Sequence, residues 1–332
     1  MVTASARGAS ALKSGASLRV LFFGTPAFAL VSLDALLRSR HQVVGVVTQP
    51  DRPRGRGQRV SEAPVKQRAV GAGLPVLQPE RLRDTEFLEA ATALQADLGV
   101  VAAYGKILTD HVLALPLLGL LNVHGSVLPR YRGAAPVHRA IIAGDTETGV
   151  TIMRVVKALD AGPMFATATR PIAIDDTSAD VERDLAILGA DLLVTTLDDL
   201  TAGRARETPQ DETKATYAPR LTKADGDVDW NWPALRLHNL IRGLHPWPHA
   251  AAFLNDRRVI LHRSAVGGSA AQSSPGTILE AHGDRLVVAT GDGALDLVEV
   301  QAEGKRKMLV REFLSGHSVA VGDRFAGPVA RP

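Results

Sequence analysis

Leu18-Arg-Val-Leu-Phe-Phe23, closed by Gly24-Thr25-Pro26, is the stretch whose reading decides the fold. A short apolar run bounded by turn residues reads as a strand buried on both faces. Residues 28–37 then switch to helical spacing, with Pro26 where a first turn tolerates it. The alternation repeats. Residues 43–47 read as a second buried strand and 62–70 as a second helix. Residues 74–77 form a short third strand and 84–94 the next helix, while 97–103 and 118–123 are the fourth and fifth strands. Strands alternating with helices predict an α/β fold, a doubly wound Rossmann-like parallel sheet with right-handed crossovers.

Farther along, residues 150–156 and 164–174 read as further strands and 179–200 as a long closing helix. Residues 204–220 carry no apolar period and read as a surface linker. Residues 235–244 are helical again. Short alternating runs at 258–266, 276–281, 285–289 and 294–301, separated by Gly-rich turns, predict a small OB-like β-barrel. The expected division is a flexible tail over 1–17, one domain over 18–203, a linker over 204–222 and the barrel over 223–332.

Composition narrows the function classes. A chain of 332 residues suits about two domains, and 45% hydrophobic with 22% charged residues disfavours wholesale disorder. Zero cysteines exclude disulfides, a thiolate nucleophile and Cys-ligated zinc. A formal charge of +3 permits a polyanionic partner without demanding one. No run approaches the ~18–20 apolar residues that span a bilayer. Residues 1–17 lack an apolar signal region, and a Ser-rich organellar leader stays open beside a frayed terminus. A cytoplasmic protein is therefore expected, and nothing resembling a coiled coil argues against a monomer.

In open α/β sheets, ligands bind beyond the carboxyl ends of the strands. The G-x-G-x-x-G fingerprint is missing after the first strand, which weakens a dinucleotide reading. The fifth strand ends in Asn122-Val-His-Gly-Ser-Val-Leu-Pro129. Asn122 and His124 are two apart on an extended segment, so both face the same way. An amide donor beside an imidazole suits acyl transfer, where one holds an oxyanion and the other polarises it or moves a proton. An isolated Asn-x-His also fits an ordinary buried strand end. His238, His245 and His249 are near in sequence, but no H-E-x-x-H or paired Asp accompanies them, and no metal site is expected.

The stretch Asn122-Val-His-Gly-Ser-Val-Leu-Pro-Arg-Tyr-Arg-Gly-Ala-Ala-Pro136 resembles the signature of the folate-dependent formyltransferases. Phe23-Gly-Thr-Pro26, Val47-Thr-Gln-Pro-Asp-Arg52, Gly55-Arg-Gly57, Val101-Ala-Ala-Tyr-Gly105, Thr148-Gly-Val-Thr-Ile-Met153, Leu159-Asp-Ala-Gly162 and Pro246-Trp-Pro248 occur in that family's order. The resemblance implies 10-formyltetrahydrofolate as donor, no metal, and a catalytic trio of Asn122, His124 and Asp160. It also implies folate contacts from Ser126, Val127, Leu128 and Pro129, with Tyr104, Gly105, Ile107 and Leu108 lining the pterin pocket. His245 departs from the pattern, which usually has Asn there.

Residues 49–59 carry Arg52, Arg54, Arg56 and Arg59 against one acid, Asp51, among Gly and Pro that keep the segment irregular. In the branch of the family that this chain resembles, the insertion enters the acceptor arm of a tRNA, implying initiator methionyl-tRNA as acceptor. Basic clusters at Arg257-Arg258 with Arg263, and at Lys305-Arg306-Lys307, offer backbone contacts on the barrel. Trp230, Trp232 and Trp247 read as packing residues between domains. Three other readings stay open: formyl transfer to another acceptor such as an amino sugar (or formyl-folate hydrolysis), a non-catalytic RNA-binding protein, and a nicotinamide dehydrogenase.

Overall fold

The computed structural model describes residues 15–54, 59–268 and 273–327. The chain divides into two compact units: Met1–Ala134, Thr148–Arg170 and Glu182–Ala218 form one, and Ala135–Glu147, Pro171–Val181 and Pro219–Pro332 the other.

In chain order, the elements up to the first unit's central strands are β1 (Arg19–Gly24), α1 (Ala27–Arg38), β2 (Gln42–Val47), β3 (Arg52–Arg54), β4 (Arg59–Ser61), α2 (Pro64–Gly71), β5 (Val76–Leu77), α3 (Thr85–Ala93), β6 (Leu98–Ala102), α4 (Asp110–Leu113) and β7 (Leu120–His124). After them come β8 (Arg132–Gly133), α5 (Pro136–Ala143), β9 (Glu147–Arg154), β10 (Met164–Pro171), α6 (Ser178–Thr201) and β11 (Tyr217–Ala218). The main sheet runs in the order β10-β9-β7-β6-β1-β2-β5.

β1 shows why this sheet forms. Val20 and Phe22 enter one apolar cluster, while Leu21 and Phe23 enter the other. All four are fully buried, so helices must cover both faces. Each such side chain contributes about 1.5–3 kcal/mol on burial. The expected parallel order holds for β5, β2, β1, β6 and β7. At the next position the chain reverses, and β9 pairs antiparallel to β7. β10 beyond it alternates half-buried with exposed residues, as an edge strand with one wet face does.

The Arg-rich segment is more regular than its composition suggests. β3 and β4 pair antiparallel as a hairpin, with Arg52 opposite Ser61 and Arg54 opposite Arg59. Pro53 is tolerated because a two-stranded ribbon is all edge. Arg56 lies outside the described residues.

The second unit adds α7 (Ala234–Gly243), β12 (Ala250–Leu254), β13 (Arg257–Val266), β14 (Ile278–His282), β15 (Arg285–Ala289), β16 (Ala294–Ala302), β17 (Met308–Leu309), α8 (Val310–Gly316) and β18 (Phe325–Ala326). Its antiparallel sheet has the order β14-β15-β16-β13-β12-β18, with β17 on β16. An isolated bridge between Thr277 and Arg324 brings the two ends of that order together, so the sheet curls into a partly closed barrel. Leu261, Leu286, Leu297 and Phe325 fill it, and α7 adds Leu237, Leu240 and Ile241 to the same core. Among the described residues, no helix is long and apolar enough to cross a membrane.

Candidate active site

β7 delivers its side chains alternately. Leu121 and Val123 enter the core on one face, so Asn122 and His124 share the other, at the carboxyl end of the strand. His124 is 5% exposed. Its Nε2 lies 2.9 Å from the Tyr131 carbonyl oxygen, and a carbonyl only accepts, so Nε2 carries the hydrogen. On the opposite side, Nδ1 lies 3.7 Å from Asp160 Oδ2. The imidazole is therefore held between two acceptors.

Asp160 reaches this position through a turn after β9. Its φ of 47° is in the left-handed region, which Asp tolerates better than most residues. Its Oδ2 accepts from the Gly133 backbone N–H at 2.8 Å. Gly162 completes the turn, because a Cβ there would lie 1.9 Å from the Arg154 carbonyl oxygen. The turn is braced from outside. Gln210 Nε2 donates to the Asp160 and Gly162 carbonyls at 2.7 and 2.8 Å. Its Oε1 accepts from Arg132 Nε and Nη2 at 3.0 and 2.8 Å, and Arg132 also donates to both carboxylate oxygens of Glu212. The Glu212 carboxylate in turn raises the Arg132 guanidinium above its ordinary range, with Asp160 adding to the same field.

The loop after β7 is fixed by its own polar groups. Ser126 is fully buried and its Oγ donates to the Arg130 carbonyl at 2.6 Å. Thr151 Oγ1 donates to the Ser126 carbonyl at 2.8 Å and accepts from Leu128 N–H at 3.2 Å. Leu128 is buried, whereas Val127 and Pro129 stay half-buried.

β6 is the parallel neighbour of β7, with Val101 opposite Asn122, so residues 103–108 emerge beside the pair. The Tyr104 ring is spent in the core, edge-on to Phe23 with centroids 5.7 Å apart. Burial pushes its hydroxyl up to about 12. Its carbonyl accepts from Gln49 Nε2 at 3.0 Å and Thr25 Oγ1 at 3.3 Å, tying three strand-end loops to one atom. Gly105 and Ile107 are the exposed members of this segment, Ile107 at 84%, and Leu108 packs on the apolar cluster beneath.

The fold thus gathers Asn122, His124 and Asp160 with the 126–129 loop and the 104–108 segment at one edge of one sheet. Among the tRNA candidates, Arg52, Arg54 and Arg59 lie in the β3–β4 hairpin. Reading the sequence did not find Thr151, Arg132 or Gln210. Gln210 sits in a polar stretch with no pattern to single it out, and only the folded chain shows its amide bridging two carbonyls.

Residues 18–197 match the formyl transferase family, and residues 220–318 match the formyl transferase C-terminal domain. The chain is similar to an N-formyltransferase from Helicobacter canadensis, solved with folinic acid and dTDP-3-aminofucose, at 17% identity and a TM-score of 0.65, covering 88% of this chain and 100% of that one. It is also similar to HypX from Aquifex aeolicus, at 17% identity and a TM-score of 0.63, covering 91% of this chain and 48% of that one. This chain therefore spans about half the length of HypX. With more than half of its length inside the first family match, the chain belongs to the formyl transferase family.

Proposed function

We propose that this protein transfers the formyl group of 10-formyltetrahydrofolate to the α-amine of initiator methionyl-tRNA, giving N-formylmethionyl-tRNA and tetrahydrofolate. The observation that carries the chemistry is the meeting of His124 and Asp160, 36 residues apart, on the face that Asn122 shares. A formyl group on the N10 nitrogen is an activated amide, because the aryl ring competes for the nitrogen lone pair. The amine attacks the formyl carbon directly, and the C–N10 bond breaks after a proton reaches N10. Asn122 donates to the oxyanion that develops, one such donor being worth roughly 3–4 kcal/mol of barrier. His124 Nε2–H is spent on the Tyr131 carbonyl, so Nδ1 is the nitrogen open to the proton from the incoming amine, with Asp160 Oδ2 3.7 Å away. Asp160 orients the ring and takes up its charge. Ser126 to Pro129 and Gly105 to Leu108 would hold the folate.

Charge points to the acceptor. Arg52, Arg54, Arg56 and Arg59 concentrate in the stretch of sequence that interrupts the βα rhythm, and a small amine acceptor gives no reason for four arginines there. Phosphate contacts from all four would cost roughly fiftyfold in affinity on tripling the salt. Arg257, Arg258 and Arg263 on β13 extend the basic surface available in the second unit, whereas Arg306 and Lys307 are engaged with Glu312 and Glu299.

The test combines the full chain, 10-formyltetrahydrofolate and methionyl-tRNA, and reads formylmethionine on the RNA with tetrahydrofolate released in equal amount. Arg56→Ala should weaken use of the charged tRNA more than use of the folate. Formylation of a nucleotide-linked amino sugar, with the tRNA untouched, would move the acceptor and leave the chemistry standing. No transfer to either acceptor by folded protein would remove both.

A further inference from the structure

Three histidines in the second unit meet without satisfying one another. The turn after α7 supplies His245 and His249, and β13 supplies His262. One ring nitrogen from each lies within 4.8 Å of the others. The His249 and His262 rings meet edge to face with centroids 4.5 Å apart, and His245 lies 5.5 Å from His249. The Nδ1 atoms of all three are buried with no hydrogen-bond partner among the described residues. Buried polar atoms are ordinarily paired, and leaving one unmade costs about 1–3 kcal/mol. Three unpaired buried nitrogens, on three rings that each bring a possible ligand atom this close to the other two, need a reason.

The surrounding hydrogen bonds indicate what each nitrogen can offer. Gln301 Nε2 donates to the Lys305 carbonyl at 2.8 Å, which fixes the orientation of that amide. Its Oε1, an acceptor only, then faces His262 Nε2 at 3.0 Å, so Nε2 bears the hydrogen. The His262 Nδ1 is left with a bare lone pair, on a ring that is 6% exposed. An outer amide that fixes the tautomer and turns the other nitrogen inward is the support a metal-ligating histidine ordinarily has.

We propose that His245, His249 and His262 form a binding site for a first-row divalent cation of the Zn2+ type, tying the turn after α7 to β13. Three imidazole nitrogens favour zinc and its neighbours, whereas Mg2+ and Ca2+ want oxygen. A tetrahedral shell with bonds of about 2.0–2.1 Å sets ligand nitrogens about 3.4 Å apart. The rings must therefore draw in by about 1.4 Å at most, within reach of small side-chain rotations. Lys307 and Arg258 are the opposing charges, and Glu299 pairs with Lys307 at 2.8 Å. Spacing along the chain did not suggest this site because His262 lies on a different element from the other two. It does not depend on the proposed reaction.

The experiment uses the untagged full chain, stripped with chelator and titrated with Zn2+ by calorimetry, with Co2+ as a spectroscopic probe. The expected result is one equivalent bound, a melting temperature that rises with Zn2+, and the intense visible bands of four-coordinate Co2+. His249→Ala and His262→Ala should each weaken binding by at least about a hundredfold, and Gln301→Ala by about tenfold. His245→Asn, close in size and polarity, guards against loss by misfolding and should weaken binding like the alanine variants. His282→Ala, an exposed histidine elsewhere on the sheet, should bind as the parent does. Wild-type protein that takes up no stoichiometric metal would overturn the proposal. Equal affinity in the parent and in folded His245→Asn and His262→Ala would do the same.

Discussion

His124 in the first unit and the cluster of His245, His249 and His262 in the second are imidazoles largely withdrawn from water, with opposite surroundings. His124 has an acceptor at each ring nitrogen, the Tyr131 carbonyl and the Asp160 carboxylate. The cluster has three Nδ1 atoms with nothing to accept from or donate to among the described residues. A ring that donates on one side and keeps its other nitrogen beside a carboxylate is placed to hold and move a proton, whereas ring nitrogens left without partners among the described residues are placed to hold a cation. Residue type is alike in the two regions, and His262 is as buried as His124 while His245 and His249 are half-buried, so the hydrogen-bond partners carry the main difference. Breaking the first region should therefore cost turnover. His124→Ala is expected to lower kcat by about 10²–10³, or about 3–4 kcal/mol, with Asn122→Ala close behind. The fold should survive, because β7 keeps Leu121 and Val123 in the core. Wild-type turnover in a folded His124→Ala protein would erase the contrast.

The next largest effect comes from the turn that brings Asp160 to the ring. Gly162→Ala places a Cβ 1.9 Å from the Arg154 carbonyl oxygen, and backbone cannot yield as a flexible side chain does. A loss of about 1–3 kcal/mol in stability is expected from the overlap, read as a lowered denaturant midpoint. Turnover should fall as well, because the only relief is to move the turn that carries Asp160. A lower midpoint with unchanged kcat would show that Asp160 is placed independently of its turn.

Legibility followed the physics of burial. Strands covered on both faces must be continuously apolar, so β1, β2, β6 and β7 were readable from residue type alone, within a residue or two. The sense of β9 was not, because direction is decided by how the connection folds back and not by composition. β12 was missed because Ala250-Ala-Ala carries no strand preference, and α5 because it begins at Pro136, the last residue of the Asn122–Pro136 signature, and runs only eight residues. The hairpin of β3 and β4 was hidden by Gly, Pro and Arg, the residues that ordinarily mark irregular chain. In the site, Asn122 and His124 shared a face by strand period. Asp160 came from the resemblance, since an Asp before Ala-Gly is an ordinary turn residue. Nothing in the sequence joined His262 to His249.

His138, on α5, extends the comparison to a third setting, where burial chiefly, and the Arg139 guanidinium next, lower the ring to about 4. The unfolded chain takes up this proton near 6.5 and the folded one resists until about 4. Between those values the unfolded state binds more protons, so stability is fully present above 6.5 and is lost as pH falls toward 4. With the partial exposure of the ring allowed for, the contribution is about 1–2 kcal/mol. Urea midpoints at pH 7.5 and 4.5 should therefore differ less for His138→Gln than for the parent. Equal differences would show that the ring is not held neutral.

The smallest effect separates positioning from packing at the catalytic turn. Gln210 reaches no reacting atom, yet its amide nitrogen donates to the carbonyls of Asp160 and Gly162 while its oxygen accepts from Arg132. Gln210→Ala removes all of these and should cost about 1 kcal/mol of stability, with a roughly fivefold fall in kcat and little change in KM. Gln210→Glu is the sharper probe. A glutamate keeps the partner that Arg132 needs but sets a carboxylate against two carbonyl oxygens that it cannot donate to. If the residue serves only to pack the 207–214 stretch against the sheet, the glutamate should be the milder change, because it restores an ion pair with Arg132. If its work is to hold the Asp160 turn toward His124, the glutamate must lower kcat further than alanine does. The order of the two variants in kcat, read beside their order in melting temperature, decides between these roles.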